Sequence, residues 1–173
     1  MLILRKLSFS RLRGQSGADW RLLVEAFFWL ALARLAMLTI PFRWTTNLLA
    51  LEPGGDSVSE YPFCDADSVA FVRRASWALT LAAARTPWKS NCAAKAVAGA
   101  GMLRFRQIAA TVALGVSSPP GPVKAHAWLS AGEIVVTGAP RHNNYRVIAT
   151  FAYSPKDPGS SRNVPVLGIF PKH

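Results

Sequence analysis

TPWKSNCAAKAVAGAGML, Thr86 to Leu103, is the stretch whose reading decides how this chain folds. Pro87 and Trp88 stop any helix arriving from upstream. Ser90 or Asn91 is a good N-cap for a new one that starts at about Cys92. The residues that follow are almost all alanine and glycine, from Ala93 and Ala94 to Gly99, Ala100 and Gly101. So little side-chain bulk predicts a helix pressed closely against a sheet, with the sulfur at its start held in place. A small buried thiol is the ordinary role of such a cysteine. Its place in the first turn adds another, because the free N–H groups and the positive end of the helix dipole favour the thiolate, the reactive form.

Downstream of this helix the period changes to two. QIAATVALGV, KAHAWLSA, EIVVTG and YRVIATFAY alternate or run apolar, and Pro119 to Pro122, Ala131-Gly132 and Ala139-Pro140 with Asn143-Asn144 separate them. These predict an antiparallel sheet, and with the helices an α+β domain. Upstream, Asp65 or Asp67 can cap a helix whose Val69, Val72, Ser76, Leu79 and Ala83 recur at helical spacing until Pro87. The predicted division is an apolar helical extension over 1–50, a linker over 51–64 marked by Pro53, Gly54 and Gly55, a core over 65–154, and a Pro/Gly/Ser-rich tail over 155–173.

The most hydrophobic segment, Ala18 to Trp44, predicts a helix over Leu22 to Ile40 that Pro41 ends. Glu25 and Arg34 interrupt it, leaving apolar runs too short for an ordinary membrane span. Glu25 also spoils its likeness to a secretory signal, so the chain is expected in the cytoplasm. The apolar residues of this helix, Leu23, Phe27, Leu30 and Leu38 among them, are spread around nearly its whole circumference. One face should pack on the domain, and the other should be covered by a protein partner or a membrane. The two charges inside the run favour the protein.

The chain has 173 residues, 51% of them hydrophobic, which suits one domain with a proper core. Its charge of +11 is scattered, with no zinc-finger spacing or ribonucleoprotein signature, so no nucleic acid is expected as partner. Cys64 and Cys92 are the only cysteines and His126, His142 and His173 the only histidines. Their spacing makes neither a disulfide framework nor a metal site, and no cofactor is expected. No phosphate-binding loop is present, so any ATP dependence would reach the chain through partners.

His126 lies within a predicted strand. A histidine there is usually structural, but beside a helix-starting cysteine an imidazole can take the thiol proton. With the turn at Ala131-Gly132, Thr137 should face His126 across the hairpin and Glu133 should face Ser130, about 13 Å away along the strand. Thr137, an Asn from Asn143-Asn144 or a backbone carbonyl is then left to orient the ring.

TPWKSNCAAKAVAGAGML, IAATVALGV, AHAWLSAGEIVVTG and YRVIATF together resemble the B-type leader peptidases of lasso-peptide biosynthesis over roughly Asp19 to Phe151. The helix ending in IPFRW is similar to the family's N-terminal helical part. The resemblance implies a transglutaminase-like cysteine protease that removes the leader from a ribosomally made precursor before macrocyclisation, with Cys92 as nucleophile and His126 as base. It also implies the precursor peptide and a lasso cyclase as partners. Family members often place an Asp after the His strand, and none follows here before Asp157. Met1 to Asp65 has no room for a leader-recognition domain, so the split form is expected, with a separate recognition protein. The alternatives are another acyl transferase or amide hydrolase of the same fold, and a non-catalytic membrane-associated adaptor in which Cys92 only packs.

Overall fold

The computed structural model describes residues 17–54, 66–117, 122–139 and 144–155, except the side chains of 42, 43 and 54. Helix α1 spans Gly17–Thr39 and α2 spans Phe42–Leu48. Pro41, with φ of −58°, ends the first and sits at the cap of the second, where a missing N–H costs nothing. Strand β1 (Glu52–Gly54), α3 (Ala66–Ala83) and α4 (Cys92–Phe105) come next. Strands β2 (Ala110–Ser117), β3 (Ala125–Ala131), β4 (Ile134–Thr137) and β5 (Tyr145–Tyr153) complete the order.

The five strands form one antiparallel sheet in the order β1-β5-β2-β3-β4. Helix α4 lies between that sheet and α1, and its glycines explain how. A Cβ on Gly99 would come within 2.5 Å of the Leu129 side chain on β3, and one on Gly101 within 2.4 Å of the Trp29 ring on α1. Both approaches need glycine, so α4 is clasped from two sides. Helix α3 closes the layer, where Leu79 reaches Gly99 and the Ser76 hydroxyl donates to the Val136 carbonyl at 2.7 Å.

The core runs continuously from Leu22, Ala26 and Leu30 of α1 through Val72 and Leu79 of α3 and Met102 and Leu103 of α4 to Val112 and Leu129 of the sheet. Each large side chain buried there contributes about 1.5–3 kcal/mol. Two ion pairs fasten α1 to its neighbours. Arg106 grips both carboxylate oxygens of Glu25 at 2.6 and 2.7 Å while lying over the Phe71 ring, and Arg74 meets Asp19 at 2.7 Å.

The antiparallel sheet and the helices fall where the sequence places them. Two details differ. β1 lies inside the stretch read as a linker; three residues with a proline are too few to show a period, yet they pair with β5. Helix α1, read as an extension, shares its core with α3 and α4. Cys64, Asp65, His142, Asn143 and the tail from 156 lie outside the described residues.

Candidate active site

Asn91 caps α4, its side-chain oxygen accepting from the Ala94 N–H at 2.8 Å. Ser90, the other candidate cap, is instead bonded to Thr86 at 2.9 Å. Cys92 is therefore the first residue of the helix, half-buried against the core. A first turn leaves backbone N–H groups without acceptors. Asn91 takes that of Ala94, so those of Cys92 and Ala93 have no acceptor within the helix.

Cys92 and Gly99 stand two helical turns apart and share one side of α4. Two turns rise about 11 Å, the length of about three strand residues. Gly99 meets Leu129, and α4 ends near the start of β2, where Thr111 pairs with Ser130. The start of α4 thus points toward the His126 end of β3, so both candidate residues lie toward one end of the sheet.

The histidine ring is held from three directions. Its Nε2 lies 3.1 Å from the Gly138 carbonyl oxygen. Its plane stacks near Trp128, with centroids 6.0 Å apart, and meets Tyr145 at 4.9 Å. The opposite residue in the ladder is Gly115, where a Cβ would come within 2.9 Å of both the Trp128 ring and the Tyr145 Cβ. Only glycine lets the two aromatic residues close beside the ring. A carbonyl only accepts, so Nε2 carries the proton and Nδ1 is the bare, basic nitrogen of the neutral ring.

Strand alternation places His126 and Trp128 on the face opposite Ala127 and Leu129, which belong to the core under α4. No hydrogen bond joins the ring to the Cys92 thiol among the described residues; the ring is bonded to Gly138, where β4 has ended.

The hairpin register corrects the expected partner of His126. The turn is Gly132-Glu133, with Gly132 at φ 51°, so Ala131 pairs with Ile134. A bulge then sets Thr137 against Leu129, and Val135, not Glu133, faces Ser130. Thr137 meets the Gly99 side of α4 and its buried hydroxyl finds no partner. The carbonyl of Gly138, at φ 91°, stands at the ring instead, which is the backbone option among the three left open. Tyr145 carries no local signal in the sequence, whereas a glycine inside a strand, as at Gly115, marks a close approach.

Residues 31–150 match the Transglutaminase-like superfamily. The chain belongs to that superfamily. The matched span begins inside α1 and ends in β5, so it takes in α3, α4 and most of the sheet. No curated protein and no solved structure matches the chain. A helix that starts with a cysteine, packed on an antiparallel sheet that carries a histidine, is an arrangement that can support acyl transfer through a thioester. Among the described residues no group of three His, Cys, Asp or Glu side chains is placed to hold a metal ion.

Proposed function

We propose that the protein is a cysteine peptidase that removes the leader from a ribosomally synthesised lasso-peptide precursor. What supports the peptidase part is that Cys92 starts the Asn91-capped helix α4 and that His126 lies on β3 with its Nε2 bonded to the Gly138 carbonyl. The leader and lasso parts rest on the motifs around those two residues.

This reading requires substrate binding to bring the His126 ring and the Cys92 thiol together, whereupon Nδ1 takes the thiol proton. The thiolate attacks the carbonyl carbon of the leader–core amide. The oxyanion is received by the free N–H groups of Cys92 and Ala93. The imidazolium then returns its proton to the leaving amine, the core departs with a new N-terminus, and the leader remains as a thioester on Sγ. A water deprotonated by His126 hydrolyses that thioester, releasing the leader carboxylate and restoring the thiol. A separate recognition protein delivers the precursor, and a cyclase consumes the freed core.

The test is incubation of the full chain with a precursor and the recognition protein, followed by mass measurement. A single cut at the leader–core junction is expected. Transfer of the acyl group to an added amine in place of water would overturn hydrolysis and favour an acyl transferase of the same fold.

A further inference from the structure

The outer side of α1 is apolar along nearly its whole length and faces solvent. Leu22, Ala26, Leu30 and Ala33 are buried on the inner side. Trp20, Val24, Phe28, Leu35 and Leu38 recur at helical spacing on the other, with Phe28 61% and Leu38 68% exposed. The stripe runs into an apolar groove of about 300 Å³ lined by Trp20, Val24, Phe27, Leu81 and Arg85. In length and composition α1 could cross a membrane. Its inner side is committed to the core, however, so only the outer side is free to meet lipid.

The charges decide what chemistry fits that side. Both acidic residues of α1 are drawn into ion pairs, Asp19 with Arg74 and Glu25 with Arg106. Glu25, which in the sequence interrupts the apolar run and argues for a protein partner, therefore leaves the stripe unbroken. Arg21 and Arg34 flank the stripe and have no ion pair among the described residues, and the whole chain carries +11. An apolar stripe edged by arginines, on a helix whose acids are neutralised inward, matches an anionic lipid surface: the side chains enter the acyl boundary and the guanidinium groups reach the headgroups.

We infer that α1 docks the protein flat on an anionic membrane surface through Trp20, Val24, Phe28, Leu35 and Leu38. This does not depend on which amide the site cleaves. The experiment is co-sedimentation of the full chain with vesicles of phosphatidylcholine alone and of phosphatidylcholine mixed with phosphatidylserine. Binding to the mixed vesicles, weakened by salt and much reduced on phosphatidylcholine alone, is expected. The double variant Phe28→Glu, Leu35→Glu should lose it while its thermal unfolding stays unchanged, since both side chains are exposed. Arg21→Gln and Arg34→Gln should each weaken binding about fivefold. Equal binding to both vesicle types, no binding to either, or full binding by the double variant would overturn the inference. So would a dimer of the wild-type chain that the double variant splits, or protection of α1 by the recognition protein in a chain that ignores vesicles; these would assign the face to a second copy or to that protein.

Discussion

Helices α1 and α4 look alike as sequences and behave as opposites in the fold. Both are apolar all around, so neither shows one amphipathic stripe. In α4 this means burial on every side: Ala94 and the run from Ala96 to Leu103 are all buried, with the sheet below and Trp29 above. In α1 only Leu22, Ala26, Leu30 and Ala33 are fully buried; Leu23 and Trp29 also pack on the core, while Trp20, Val24, Phe28, Leu35 and Leu38 stay exposed. All-round apolarity shows that a helix needs two neighbours. Side-chain size then separates the cases, since small residues let both neighbours come from the same chain, whereas Phe28 and Leu38 stand out from it.

The largest effect that would sharpen this contrast is at the start of α4. Cys92→Ala should abolish leader removal and leave the unfolding transition in place, because alanine fits a helix start as well as cysteine does. His126→Ala should lower turnover by about 100-fold to 10,000-fold with precursor binding unchanged. Rates and binding measured on the same preparations separate the two roles. Weakened binding alongside lost turnover would make His126 structural, and a similar loss in Cys64→Ala would mean the wrong thiol has been chosen.

The next effect is on folding. Gly101→Val sets a branched side chain against the Trp29 ring, where even a Cβ would come within 2.4 Å. Overpacking of this kind costs about 1–3 kcal/mol, to which the poorer helix propensity of valine adds a little. A denaturant midpoint unchanged from wild type would show that α1 yields and that α4 is not clasped from both sides. Glu25→Gln should cost less, about 1–2 kcal/mol, because the bidentate ion pair with Arg106 becomes a hydrogen bond from the guanidinium to a neutral amide oxygen at a partly exposed site. The loss should shrink in high salt.

These contrasts also explain what the sequence made legible. The cysteine helix was readable because a breaker, a cap and a run of small residues lie in order between Pro87 and Gly101. The strands were readable because their period is two. The hairpin register was not, since it depends on whether the turn is Ala131-Gly132 or Gly132-Glu133 and on a bulge at Leu129 and Ser130 that no local pattern announces. For the same reason the partner of His126 was visible only as a set of options. Tyr145 reaches the ring from β5, two strands away from β3 in the sheet, and local spacing cannot join such residues.

The smallest predicted effect tests that register directly, on the sheet side of α4. If Thr137 oriented the histidine, as a hairpin turning at Ala131-Gly132 would require, removing its hydroxyl should slow cleavage about tenfold. The observed register turns Thr137 toward Gly99 and leaves its Oγ1 buried with no partner. A buried, unpaired hydroxyl costs stability, and a methyl group of the same shape does not. Thr137→Val should therefore raise stability by about 1 kcal/mol, read as a higher denaturant midpoint at constant slope, with the single-turnover rate unchanged. A tenfold slower rate at wild-type stability would return the hydroxyl to the ring and break the account of the hairpin. A lower midpoint would show that the hydroxyl has a partner after all and that the sheet side of α4 is less tightly closed than the side that faces Trp29.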